Sequence, residues 1–188
     1  GNIHRLIQAD ISGAMVERAT GEKLVCDEEW LPFADSSIDG VFSSMALQWC
    51  RPLDKVLAEL FRVMKPGAGG TLAIMAQGSL KELNPSWQRL GECAHINTFE
   101  PQATMYQAAC RAGFECSATQ QRFISWHKDI FAVLHSIKDI GASVLINSGG
   151  RTLSRRQLQK LQACYSDSFA QPEGLPLSYE VVFLRIQK

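Results

Sequence analysis

Three stretches of this 188-residue sequence carry side chains whose types and spacing could do chemistry. Asp10 closes the apolar run Leu6-Ile7-Gln8-Ala9, just ahead of Ser12. An acid at the end of a strand is where α/β folds commonly hold a ribose, because a carboxylate accepts hydrogen bonds from its hydroxyls. An ordinary strand-end Asp beside the next helix start accounts for the same spacing. Asp27-Glu28-Glu29 follow a second short run, Lys23 to Cys26. Asp27 can accept from the exocyclic amine of adenine, with Trp30 or Leu31 beside the ring; taken alone, it reads first as a solvated loop acid. Arg151, Arg155, Arg156 and Lys160 form the densest basic group, with Arg156 and Lys160 at i, i+4 on one helix face. By itself this group is a solvated face opposite Leu158 and Leu161.

The remaining chemistry-bearing residues exclude more than they offer. Six cysteines, Cys26, Cys50, Cys93, Cys110, Cys116 and Cys164, never form C-x-x-C, and zinc sites need close thiolate pairs to converge on one ion. They are expected to be reduced core thiols. His4, His95, His127 and His135 are dispersed, so no metal site is expected. Gly67-Ala68-Gly69-Gly70 leads from helix to strand, whereas a phosphate cradle needs a helix N-terminus facing the anion; it reads as a plain turn. Lys+Arg and Asp+Glu are equal at 19 each, which removes the driving force for non-specific binding to nucleic acid or a membrane surface. No apolar run approaches the ~20 residues of a membrane span, and no signal-peptide layout opens the sequence. A soluble, cytoplasmic protein is expected.

The elements that would position these residues alternate between apolar runs and helical patterns, as in a sheet covered by helices. Strands are expected at Leu6 to Ala9, Lys23 to Cys26 and Ile38 to Ser43, with Ser12 capping a helix that carries Met15, Val16 and Ala19. Val56, Leu57, Leu60, Phe61 and Met64 repeat at helical spacing, and Lys65-Pro66-Gly67 ends that helix. Thr71 to Ala76 is continuously apolar, as a parallel strand covered on both faces requires. A variable region around Trp87 follows, then a helix from about Pro101 to Gly113 and a strand at about Thr119 to Ser125. Another helix carries Ile130, Phe131, Val133, Leu134, Ile137 and Ile140, closed by Gly141. Asn147 to Gly150 is a loop. Ser154-x-x-Gln157 is a capping-box pattern, and Tyr179 to Ile186 is a last strand.

Position by position, Asp10-Ile11-Ser12, Asp27 to Phe33, Ile38 to Ser44 and Glu59 to Ala68 resemble consecutive motifs of class I S-adenosylmethionine-dependent methyltransferases. Leu47-Gln48-Trp49, Gln77-Gly78-Ser79-Leu80 with Glu82-Leu83, Ile140-Gly141-Ala142 and Arg151 to Leu158 narrow the resemblance. They are similar to the malonyl-acyl-carrier-protein O-methyltransferases of biotin synthesis. The resemblance implies an α/β, Rossmann-like sheet with helices on both faces, and one methyltransferase domain over residues 1–188 with substrate-side insertions at 78–100 and 126–170. The family's glycine-rich turn has no counterpart before Asp10, so its N-terminal strand and helix are expected to be missing. It implies Asp10 for the ribose of S-adenosylmethionine, Asp27 for the adenine amine, and contacts from Ile11, Glu28 and Ser44. Trp49 would stand near the reacting groups, or serve as a core aromatic. The substrate implied is a malonyl thioester on an acidic carrier protein, which gives the basic group Arg151, Arg155, Arg156 and Lys160 a docking role.

A second reading comes from another functional class: a methyltransferase-like assembly or binding protein, similar to a mitochondrial complex I assembly factor whose relatives share an Asp-Glu-Glu-aromatic-Leu-Pro-Phe segment. Gln77 to Leu80 and Arg151 to Leu158 favour the enzyme.

Overall fold

The computed structural model of the chain describes residues 5–89, 99–139 and 154–188. His4, Cys93, His95, Ile140, Gly141, the 147–150 loop and Arg151 lie outside them. The short apolar run ahead of Asp10 forms β1 (Ile7–Asp10), which pairs in parallel with β2 (Glu22–Val25). Between them α1 (Gly13–Arg18) buries only Val16. Ser12 stands at its N-cap, but its side chain makes no capping bond. Instead the Ser12 N–H donates to Asp10 Oδ1 at 2.7 Å, so the acid holds the turn that the hydroxyl was expected to hold.

A four-stranded sheet has the order β3-β4-β6-β5, from β3 (Ile38–Ser44), β4 (Met64–Met75), β5 (Glu115–His127) and β6 (Leu175–Gln187). A 3-10 turn, Leu47–Trp49, follows β3, and α2 (Leu53–Val63) leads into β4. The helical periodicity of α2 is borne out at Val56, Leu57 and Leu60, buried on one face with Leu53 and Val63, whereas Phe61 is half-buried and Met64 already begins β4. Further along come α3 (Leu83–Gln88), α4 (Gln102–Ala112), α5 (Ile130–Asp139) and α6 (Arg155–Phe169). No described helix is long and apolar enough to cross a membrane.

These residues divide into two compact units. Unit 1 comprises Gly1–Ile74, Ala103–Ala118 and Phe183–Lys188; unit 2 comprises Met75–Gln102 and Thr119–Val182. The core of unit 1 includes Leu57, Leu60, Met64, Leu72, Ile74, Met105, Phe114 and Leu184, while that of unit 2 includes Leu80, Trp87, Val133, Ile137, Leu161, Tyr165 and Leu177. In unit 1, Leu6, Ile11, Met15, Val25, Trp30 and Phe42 stay exposed.

Gly67 to Gly70 is not the turn that its composition suggested, because β4 runs through it from Met64. Two neighbours explain why glycine suits a strand here. Gly40 lies opposite Gly69, and a Cβ on Gly70 would stand 2.8 Å from the Val41 carbonyl and 3.2 Å from Ile186 Cγ1. Gly67, at φ +78°, is pinned by its N–H to the Lys188 carbonyl at 2.6 Å. The expectation of core cysteines fails as well. Cys26, Cys50, Cys116 and Cys164 are free but half-buried, and Cys110 is exposed.

Replacing Gly70 with Ala forces backbone or side chain apart, and is expected to destabilise by roughly 1–3 kcal/mol, the usual range for overpacking. Leu57→Ala, which hollows the fully buried face of α2, is expected to cost about 2–5 kcal/mol. Urea unfolding of both variants against wild type measures the two costs, and a Gly70→Ala protein of wild-type stability contradicts the close-approach reading.

Candidate functional site

Two acids end adjacent parallel strands in unit 1. Asp10 is the last residue of β1, and Asp27 follows β2 by two residues, with the Cys26 N–H donating to the Asp10 carbonyl at 3.2 Å. Each carboxylate uses one oxygen to fix its own turn: Asp10 Oδ1 accepts from Ser12 N, and Asp27 Oδ1 accepts from Glu29 N at 2.8 Å. Both side chains are thereby aimed without being consumed, since a carboxylate has about four lone-pair sites.

Glu28 completes a negative cluster. Burial pushes its carboxyl above the usual carboxylate range, and the charges of Asp10, Asp27 and Glu29 add to the shift. The same field reaches the turn after β3. Burial, followed by Glu28, Glu29 and Asp27, pushes the Cys50 thiol up to about 12. Its neighbour Trp49 is half-buried on the 3-10 turn. Ile11 is 60% exposed and Trp30 is 82% exposed, so apolar surface flanks the acids. Ser44 ends β3 and is exposed. The cofactor residues expected from sequence are therefore all at strand ends or in the turns that follow them, within one unit.

Sequence reasoning missed what holds this region in place. Glu59 Oε1, on α2, accepts from the Leu31 N–H at 2.8 Å. Arg62, one turn later, donates to both Glu59 oxygens at 2.6 and 2.9 Å and to Asp35 Oδ1 at 2.6 Å. It also donates to the carbonyls of Phe33 and Leu31, at 2.8 and 3.0 Å. A guanidinium's five donors in one plane suit such a fan of acceptors. Glu59 and Arg62 stood in a quoted motif, and their i, i+3 spacing with opposite charges was the available signal.

Unit 2 contains a separate polar set. Glu82 is buried and accepts from both the N–H and the hydroxyl of Ser178. Ser79 Oγ accepts from the Glu180 N–H at 2.9 Å and lies 3.0 Å from the Glu180 carbonyl. The Glu180 carboxylate takes Gln120 Nε2 at 2.8 Å and Arg122 Nε. The Gln77 to Leu83 motif thus lies against β6 through Ser79 and Glu82. On α6 the capping box is realised: Gln157 N donates to Ser154 Oγ, and Ser154 N donates to Gln157 Oε1. Arg155, Arg156 and Lys160 are exposed on the first turns of α6.

Residues 1–74 match the family model of the methyltransferase domain. The chain is 38% identical, over 182 residues, to a malonyl-[acyl-carrier protein] O-methyltransferase of Pectobacterium atrosepticum, covering 93% of this chain and 69% of that protein. It is 34% identical over 194 residues to the biotin biosynthesis bifunctional protein BioHC of Cellvibrio japonicus, of which it spans 38%. Among solved structures, YcgJ from Bacillus subtilis superposes with a TM-score of 0.62 at 16% identity, over 97% of this chain and 81% of that one. That likeness supports the shared fold. The names of the curated relatives favour the enzyme reading of the sequence over the assembly-protein reading.

Hydrogen bonding from Arg62, opposed by burial, holds the Glu59 carboxyl below the usual carboxylate range. A depressed folded pKa contributes stability that is present above the unfolded value, about 4.3, and is lost as pH falls through the folded value. Glu59→Gln is therefore expected to be less stable than wild type at neutral pH and to lose less on acidification below about pH 4.3. Urea unfolding from pH 6 to pH 3 tests this; identical acid limbs for the two proteins contradict it.

Proposed function

We propose that this chain, which belongs to the family of malonyl-[acyl-carrier protein] O-methyltransferases, methylates the free carboxylate of a malonyl thioester carried on an acyl-carrier protein, in biotin synthesis. S-adenosylmethionine is the cofactor, and when bound it supplies an electrophilic methyl group on a cationic sulfonium.

The observation that carries the reading is the pair of pre-aimed carboxylates at the ends of β1 and β2. The donor set fits the adenosine half of the cofactor. Asp10 accepts from the ribose hydroxyls through the oxygen that Ser12 leaves available. Asp27 accepts from the adenine amine in the same way. Ile11 and Trp30 offer apolar surface to the base, and Glu28 and Ser44 provide further contacts. Negative charge at Asp10, Asp27 and Glu29 also favours a cationic cofactor over its neutral demethylated product. Trp49, half-buried on the turn after β3, would stand near the reacting groups.

The receiving carboxylate is ionised at neutral pH, so the reaction needs no general base. The chain's contribution is alignment of the reacting atoms and exclusion of water. Residues 78–100 and 126–170 are read as the substrate side. The partner is an acidic carrier, for which Arg155, Arg156 and Lys160 on α6, together with Arg151, form the docking surface in a cytoplasmic enzyme.

Two experiments test these assignments. Asp10→Ala is expected to weaken S-adenosylmethionine binding by about 1.5–3 kcal/mol, the scale of hydrogen bonds to a charged acceptor; unchanged affinity by calorimetric titration, with an intact fold, removes the ribose role. Reversing the charge of Arg155 and Arg156 is expected to slow methylation of malonyl-carrier far more than of a small malonyl thioester. That difference shrinks as salt is raised, because rim charges act mainly on encounter. Equal losses on both substrates overturn the docking surface, and no methylation of either by wild type returns the assembly-protein reading.

A further inference from the structure

The end of α4 and the start of β5, both in unit 1, bring two thiols together across one turn. Cys110 Sγ lies 3.4 Å from Cys116 Sγ. Their approach is held by the surrounding structure. Gly113 takes φ +102°, and a Cβ there would stand 3.0 Å from the Phe61 ring. Phe114 is buried, its ring edge-on to Phe61 with centroids 5.1 Å apart, and its N–H donates to the Ala109 carbonyl at 3.2 Å. Arg111, between the thiols in sequence, is tied to Asp54 Oδ1 by two bonds of 2.6 and 2.9 Å. A disulfide needs about 2.0 Å between sulfurs, so closure takes a shift of just over an ångström, within the reach of side-chain rotation.

We infer that Cys110 and Cys116 form a modification site, a dithiol that a two-electron oxidant of the peroxide class closes to an intramolecular disulfide. The two thiols have different roles. Cys110 is exposed, so its sulfur meets the oxidant first; it attacks one peroxide oxygen, the O–O bond breaks, the thiol proton passes to the departing hydroxide, and sulfenic acid and water form. Cys116 is half-buried and lies against the Tyr106 carbonyl at 3.8 Å. Burial and the neighbouring Cys110 push its thiol up to about 11, which disfavours it as the group that meets the oxidant first. Its sulfur displaces hydroxide from the Cys110 sulfenic acid, its proton leaves as water, and the S–S bond forms. In sum, two thiols and one hydrogen peroxide give one disulfide and two waters. This inference does not depend on the methyltransferase reading.

The test treats the whole chain with hydrogen peroxide, blocks the remaining thiols by alkylation, and maps peptides without reduction. The expected result is a cross-linked peptide joining Cys110 to Cys116, reversed by dithiothreitol. It disappears in Cys110→Ser and Cys116→Ser, and Cys116→Ser retains a Cys110 sulfenic acid that dimedone captures. Wild-type protein that accumulates dimedone-reactive Cys110 without the cross-link overturns the inference, as does a cross-link from Cys110 to any of the other cysteines.

Discussion

Arg62 leaves the last turn of α2 and spreads one guanidinium over Glu59, Asp35 and the carbonyls of Leu31 and Phe33. The segment it gathers has little apolar burial of its own: Trp30 is almost fully exposed, and Asp27 and Pro32 are exposed as well. Hydrophobic collapse fixes α2, through Val56, Leu57 and Leu60, and the charged fan then transfers that rigidity to the loop. Asp27 and Glu28 have defined positions because the chain just after them is tied. A lysine could offer charge but not this number of directed bonds in one plane.

Unit 2 uses carboxylates differently. Glu82 and Glu180 are both buried, and both are satisfied, the first by the backbone and hydroxyl of Ser178, the second by Gln120 and Arg122. Burying an ionised carboxylate without partners is strongly unfavourable. These acids therefore make the meeting of Ser79 to Glu82 with β6 specific rather than merely apolar. Gly78, at φ +97°, lets the chain turn where a Cβ would stand 3.1 Å from the Glu180 side chain.

Much of this arrangement is legible in the residues alone. The 3.6-residue repeat from Leu53 to Leu60, the Ser154–Gln157 box, the stop at Gly113 and the continuous apolar run of β4 each have a local physical cause, so each survives folding. Strand lengths were less readable. β5 extends from Glu115 to His127 and β6 from Leu175 to Gln187, well past the apolar segments that suggested them, because the order β4-β6-β5 gives each a partner that the local run of residues does not reveal. Gly67 to Gly70 misled for the same reason, since glycine there answers the nearness of Val41 and Ile186, which lie far away in sequence. Asp10 could be picked out as a strand-end residue, whereas Asp27, two residues past β2, reads by itself as a solvated loop acid. The Arg62 fan could not, because its acceptors include carbonyls, which are present at every residue and leave no mark in composition.

Among the described residues, β3 lies at one end of the four-stranded sheet order, and β1 and β2 form a two-stranded sheet. Phe42 points out from β3 with 76% of its surface exposed. Flat, apolar strand margins recruit other extended chains through their open backbone groups. The usual protection against such association is mutual charge repulsion, and a chain with a formal net charge of zero has little of it. Among the described residues, the margin of β3 and the Phe42 side chain are thus a place where a further extended segment, of this protein or of another chain, can pair.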